Sequence, residues 1–289
     1  MNSPILNTLP PKNEPDTSMG ALLLASGKLE SNDAERVLRM QKEIGIRFGE
    51  AAVRLGLISA DDVRQALARQ FSYPCLQQGE GELSPRLLAA YEPFSPQAEA
   101  LRAIRSRLLL RWFGRGHRAL AIVGLTPDDD AALCASNLAV VFAQLGTRTL
   151  LVDANLRAPR QQEAFALASR QGLSDLLAGR ASLDVIMPVP AFAELSVMPA
   201  GTLPPNPQEL LAREGFRNLH AALEGRYDVV LYDVPPCSSG ADAVAVACRA
   251  GGALLVARRH AARVAHLARC AAELAEAGCE VLGSVVVEF

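Results

Sequence analysis

The sequence predicts an α/β fold, a doubly wound parallel sheet preceded by a small helical tandem-repeat domain, and three observations carry that prediction. Apolar runs of strand length alternate with helical patterns from about residue 98 onward. Most of these runs are apolar throughout, as strands covered on both faces must be. Ahead of them, a 24-residue pattern occurs twice.

The bulk numbers bound what such a chain can do. With 289 residues, 50 % of them hydrophobic, the chain can bury a sizeable core. A formal net charge of −2, with both signs intermixed, excludes a protein coated for nucleic acid or a lipid surface. The six cysteines are scattered and form no CxxC pair, so they are expected as small core residues in a reducing cytoplasm. Neither a signal peptide nor a membrane span is expected, because the N-terminus lacks a basic segment followed by a long apolar one and the apolar stretch 244–256 is broken by Arg249.

Taken in order, residues 1–17 are rich in Pro, Asn and Ser and read as a flexible tail. Residues 18–75 form the helical domain. Within it SMGALLLASGKLESNDAERVLRMQ (18–41) returns as RFGEAAVRLGLISADDVRQALARQ (47–70), pairing Gly20 with Gly49, Gly27 with Gly56, Leu38 with Leu67 and Gln41 with Gln70. Each copy reads as a short helix, a glycine turn and a second helix. Ser59 and Asp62 have capping-box spacing in the second copy, and Ser31 or Asn32 is the expected cap in the first. Residues 76–97 carry Gly, Pro and Ser and read as a linker.

The second domain, 98–289, opens on a helical pattern at 99–112. Strands are expected at 120–125, 149–154, 195–200, 228–234, 253–257 and 281–287, and helices at 131–145, 206–224, 241–249 and 261–277. In such a sheet a ligand lies beyond the carboxyl ends of the strands. Three stretches end there: 125–132, VDANLRAPR (152–160) and YDVPP (232–236). Asp153 and Asp233, each closing a strand, are the residue type a metal–nucleotide site needs, since carboxylates hold Mg²⁺ directly or through water.

The segments LLVDANLRAPR, GLSDLLAGRASL, VMPAGTLPPNPQELL and YDVVLYDVPP resemble the cytoplasmic domain of the bacterial tyrosine kinases of polysaccharide biosynthesis, over about residues 99–289. That resemblance implies a P-loop NTPase-like fold, ATP and Mg²⁺ as cofactors, Asp153 as the first Walker A′ acid and Asp233 as the Walker B acid. The second Walker A′ acid is replaced by Asn155. The family's phosphate loop, [AG]xxxxGK[ST], cradles phosphates on backbone N–H groups, a lysine and a hydroxyl. Aligned on Asn137, Leu138 and Ala139, this chain puts Leu125, Asp130, Ala131 and Ala132 in the four motif positions, and all four depart from the motif.

Each lost charge-assisted contact removes about 1.5–3 kcal/mol. Asp128, Asp129 and Asp130 are expected to face any triphosphate and repel it, and to serve as built-in anions at the N-terminus of the following helix. Glu99, Arg102 and Arg105 match the family's ExxRxxR pattern, which implies subunit contacts in a homo- or hetero-oligomer, with solvated ion pairing on one helical face as the competing account. The chain ends SVVVEF without the family's tyrosine cluster, so no autophosphorylated tail is expected.

The repeat resembles the N-terminal domain of secretion and pilus ATPases of the MshE type. That resemblance implies cyclic-di-GMP binding through Arg47, Gly49 and Gly56, although Ser18 stands where the first copy would need arginine. The four histidines lack ligand spacing and are expected at the surface or at helix ends. The expectation is therefore a regulatory or scaffold pseudokinase of exopolysaccharide biosynthesis, cytoplasmic and peripheral at the inner membrane through a partner. Its partner would be the cytoplasmic part of a membrane chain-length-determinant protein or an active kinase paralogue. Two alternatives stand beside it: a working ATP-dependent tyrosine kinase or ATPase that controls chain length, and a cyclic-di-GMP-responsive module.

Overall fold

The computed structural model describes residues 18–71, 73–77 and 79–288, so the expected tail lies outside the described residues. Two compact units meet between Pro74 and Cys75.

In the first unit both copies of the repeat fold alike. Helices α1 (Met19–Ala25) and α2 (Ser31–Ile44) form one copy, and α3 (Phe48–Arg54) and α4 (Ala60–Gln70) the other. The copies interlock, α1 packing on α4 and α2 on α3. Leu23, Val37, Ala51, Ala52 and Ile58 form the shared core.

The glycines explain the repeat. Gly27 and Gly56 turn each copy with φ of 67° and 68°, a conformation in which a side chain is strained. The other pair gives the helices room to touch. A Cβ on Gly49 would lie 2.8 Å from Val63 Cγ1 and 2.9 Å from Met19 Sδ, and one on Gly20 would meet the Phe48 ring at 3.4 Å. Met19 and Phe48 occupy matching positions, so each copy presses its residue onto the other copy's glycine. Ser59 and Asp62 close the expected capping box, with the Asp62 amide donating to Ser59 Oγ at 3.1 Å and the Ser59 amide to Asp62 Oδ2 at 2.9 Å. The first copy differs from expectation. Ser31 is already helical, and Glu30 stands at the N-cap without a side-chain bond.

The second unit opens on α5 (Leu88–Tyr91) and α6 (Pro96–Arg111). There follow β1 (Ala119–Gly124), α7 (Ala131–Gln144), β2 (Thr149–Asp153), α8 (Gln161–Ala164), α9 (Leu173–Leu177), β3 (Met187–Pro188), β4 (Leu195–Met198), α10 (Pro207–Ala212) and α11 (Glu214–Glu224). The chain continues through β5 (Val229–Asp233), α12 (Asp242–Ala250), β6 (Gly252–Arg258), α13 (Val264–Glu276) and β7 (Glu280–Val287). The sheet order is β3-β4-β2-β5-β1-β6-β7, parallel except for the β3–β4 pair.

All six expected strands are present: β1, β2, β5 and β6 are buried on both faces, which writes an unbroken apolar run, whereas β7, at the edge of the sheet, is largely exposed. The two-residue β3 is too short to leave a pattern. The single helix expected over 206–224 is two, broken at Arg213, whose ψ of 157° is extended. Alternate strand residues enter two apolar layers: Leu120, Ile122, Leu151 and Leu231 face α6 and α7, while Ala121, Val123, Val152 and Val230 face the side of α11, α12 and α13. Helix α7 is buried from Cys134 to Gln144, which accounts for its lack of a polar face.

Two expectations require correction. Residues 76–97, read as a linker, are packed into the second unit. Leu87, Ala89 and Ala90 are fully buried, the Ala89 amide donates to Asn137 Oδ1 at 2.9 Å, and Gln144 Nε2 donates to the Ala89 carbonyl at 2.8 Å. Polar side chains on an otherwise apolar helix thus bind backbone that carries no local pattern of burial. Cysteine also behaves differently from expectation, for Cys237 and Cys270 form a disulfide although they are 33 residues apart. Cys134 and Cys279 are the buried core residues anticipated, and Cys75 and Cys248 are half-buried.

Among the described residues, no helix is long and apolar enough to cross a membrane. Gly49→Ala, which drives a methyl group into Val63 and Met19, is expected to lower stability by about 1–3 kcal/mol in urea unfolding of the full chain, with the first unit's transition moving to lower denaturant.

Candidate functional site

Parallel pairing sets the site. Asp153 closes β2 and Asp233 closes β5, and the two are direct partners in register. Strand β1 lies on the other side of β5, so the loop after it reaches the same end of the sheet. The three loops surround a cavity of about 210 Å³, lined among others by Arg86, Ala131, Ala132, Arg160, Gln161 and Asp233.

The loop after β1 departs from the expected arrangement of its aspartates. Asp129 is fully buried and turned into its own turn. Its Oδ2 accepts from the Leu125 amide at 2.9 Å, the Thr126 amide at 2.6 Å and Thr126 Oγ1 at 3.1 Å, while its Oδ1 accepts from the Arg258 amide at 2.9 Å. Asp130 adopts left-handed backbone, φ 51°, and its side chain makes no cap on α7. Instead its Oδ1 pairs with Arg86 Nη2 at 3.0 Å. Only Asp128 is exposed. The three do not line up against a triphosphate: one is neutralised by arginine and one is consumed by backbone. Nor do they supply the anion of the helix, since no described residue hydrogen-bonds the amides of Ala131, Ala132 and Leu133, which line the cavity.

The acids are held tightly. Asp153 accepts at Oδ1 from the Asn155 amide (3.2 Å) and at Oδ2 from the amides of Arg160 (3.0 Å) and Gln161 (2.9 Å). Burial nevertheless outweighs these bonds and raises its pKa to about 6. Asp233 accepts at Oδ2 from Gln161 Nε2 at 2.7 Å, and its Oδ1 is buried without a hydrogen-bond partner. Burial first, and the Asp153 charge second, push its carboxyl well above the usual range. Gln161, a residue no motif singled out, thus touches both acids and is itself fully buried. The only sequence signal for it was its place one residue past VDANLRAPR.

These residues suit a bound Mg²⁺–ATP only in part. The free amides at the start of α7 fit a phosphate. The remainder does not fit. Ala131 and Ala132 offer no ammonium or hydroxyl, both Asp153 oxygens carry backbone N–H bonds, and one Asp233 oxygen remains where Mg²⁺ asks for about six oxygen ligands. Among the described residues no cluster of three or more His, Cys, Asp or Glu could hold a metal ion.

Two of the segments that carry the family resemblance pack on each other. GLSDLL packs on PAGT. The amides of Leu173 and Ser174 donate to the carbonyls of Pro199 and Ala200, and buried Asp175 accepts from the amides of Gly172 (3.2 Å) and Thr202 (3.0 Å). A Cβ on Gly172 would lie 2.0 Å from the Pro199 oxygen, so only glycine permits the approach. Similarly, Arg157 clasps buried Asp242 through Nε at 2.7 Å, tying the β2 loop to α12.

Other singled-out residues lie away from this site. Glu99, on α6, is exposed and accepts from Arg102 Nε and Nη2 at 2.9 and 2.7 Å, while Arg105 Nη1 donates to the Val141 carbonyl at 2.6 Å. Arg47 is exposed at the start of α3, whereas Gly49 is buried and Gly56 forms a turn. His220, expected at the surface, is buried, with Nδ1 2.9 Å from the Tyr232 hydroxyl.

A doubly wound sheet with acids closing neighbouring strands, beside a loop that leads into a buried helix, defines a P-loop NTPase-like protein. The chain is 32 % identical over 212 residues to the tyrosine-protein kinase YwqD of Bacillus subtilis strain 168, covering 73 % of this chain and 90 % of that protein, and it belongs to the bacterial tyrosine-protein kinase family. It is 36 % identical over 173 residues to the tyrosine-protein kinase Wzc of Salmonella typhimurium strain LT2, which covers 60 % of this chain but 24 % of Wzc. The chain therefore spans about a quarter of the length of relatives of that kind. The solved kinase domain of Escherichia coli tyrosine kinase ETK superposes with a TM-score of 0.68 at 33 % identity, covering 72 % of this chain and 81 % of the domain. No family model matches.

Asp129→Ala leaves buried amides without an acceptor and is expected to cost about 3 kcal/mol, read by urea unfolding. The acid pair also makes stability pH-dependent. Their folded pKa values lie above the unfolded ones, so the stability they permit is full below about pH 4 and declines as pH rises through about 6, the value for Asp153. Asp233→Asn keeps an acceptor for Gln161 and is expected to flatten that decline in unfolding measured across the range.

Proposed function

We propose that the chain is a regulatory or scaffold component of an exopolysaccharide biosynthesis and export system, carrying the tyrosine-kinase fold without efficient phosphoryl transfer. One observation carries this reading: the four phosphate-loop positions hold Leu125, Asp130, Ala131 and Ala132, with Asp130 bound to Arg86. The fold and its outer surfaces do not depend on those positions, so a partner interface can outlast the chemistry. The proposed partner is the cytoplasmic part of a membrane chain-length-determinant protein or an active kinase paralogue, with Glu99, Arg102 and Arg105 as the oligomer contact. This would place the protein at the inner membrane only through its partner. The pairing of this domain with an MshE-like repeat resembles the chain-length-determinant tyrosine kinase homologue EpsG. In this reading the repeat is the docking part, or the cyclic-di-GMP sensor, for which the exposed Arg47 is the available cation.

The competing reading is a working ATP-dependent tyrosine kinase or ATPase. It is favoured by the unpartnered amides of Ala131, Ala132 and Leu133. Calorimetry with ATP, with and without Mg²⁺, separates the two. The scaffold reading expects no saturable Mg²⁺-dependent binding by the full chain. Such binding, lost in both Asp153→Ala and Asp233→Ala, would overturn it in favour of the kinase.

A further inference from the structure

Gln161 has every polar group of its side chain engaged. Nε2 donates to Asp233 Oδ2 at 2.7 Å and to the Ala132 carbonyl at 3.1 Å, and Oε1 accepts from Ser136 Oγ at 2.6 Å. The NH₂ end thus lies between the Asp233 carboxyl and the Ala132 carbonyl, and the oxygen end meets the Ser136 hydroxyl, whose one proton the Ala132 carbonyl, 2.7 Å away, can also accept. Its main-chain amide meanwhile donates to Asp153 Oδ2 at 2.9 Å. One residue therefore joins the ends of β2 and β5 and the first turn of α7.

We propose that Gln161 bars divalent cations from the Asp153–Asp233 pair, its main-chain and side-chain N–H groups filling the places on these carboxylates that a metal ion's positive charge would otherwise take. The inference deepens the scaffold reading and rests on it, naming the residue that keeps the acids metal-free. A cation at Asp233 Oδ2 must displace a 2.7 Å hydrogen bond and strand a fully buried amide, whose unmet donors cost more than the bond itself is worth. At Asp153 it must displace backbone donors that the loop holds in place. What remains is the single oxygen Asp233 Oδ1, which has no hydrogen-bond partner among the described residues.

Mn²⁺ binding by the full chain, followed by electron paramagnetic resonance without nucleotide, tests the inference. The wild type is expected to show no saturable site that depends on Asp233. Gln161→Glu replaces the donor by a third carboxylate, and Gln161→Ala removes it. Each is expected to bind Mn²⁺ at least about tenfold more tightly than the wild type, about 1.4 kcal/mol, with the gain lost when Asp233→Asn is added. A variant that unfolds in metal-free buffer and regains its thermal transition with Mn²⁺ supports the inference equally. Asp233-dependent Mn²⁺ binding by the wild type overturns it. So do variants that bind no better than the wild type, or unfolded variants that Mn²⁺ does not restore. Because no nucleotide is present, these outcomes leave the ATP experiment to decide the scaffold reading separately.

Discussion

Register between β2 and β5 places two carboxylates side by side in dry protein, and much of the second unit is arranged around that fact. Two buried like charges cannot both remain ionised at modest cost, so the fold must supply donors, protons or a counterion. It supplies donors: three backbone amides on Asp153 and the Gln161 carboxamide on Asp233. The β2 loop is folded back so that its amides point at Asp153, the Arg157–Asp242 pair fixes the same loop to α12, and Gln161 carries the connection into α7. The parallel sheet sets the problem, and the loops answer it.

The loop after β1 shows how a charge can be retained while its meaning changes. In a phosphate loop, backbone amides converge on an anion from outside. Here the Asp129 carboxylate is that anion for the loop's first two amides and for the amide of Arg258, so β1, its turn and the end of β6 are locked together by one side chain. The turn is stable without a ligand. The start of α7, by contrast, keeps three amides with no acceptor among the described residues, and they are open to an anion.

Much of the fold was legible in the sequence. The central strands are visible because burial on both faces writes an unbroken apolar run, and the repeat because its glycines recur: Gly27 and Gly56 for backbone conformation, Gly49 for close helix contact. Asp153 and Asp233 were visible because an acid ending an apolar strand is conspicuous. The burial of Leu87, Ala89 and Ala90 and the Cys237–Cys270 bond were not, since each depends on a partner far away in the chain. Gln161 was hidden for the same reason, as a glutamine before a short helix is chemically unremarkable until two strand ends and a serine close around it.

The sequence by itself determined the class of fold, the family resemblance and the run of three aspartates after β1, because these are matters of pattern and residue type. Only the tertiary structure decided where the charges went. Asp128, Asp129 and Asp130 are consecutive and chemically identical, yet one meets solvent, one a set of backbone amides and one an arginine 44 residues away. A carboxylate's role is fixed by the donors within about 3 Å of it, and those are brought together by the fold rather than by neighbours in the chain.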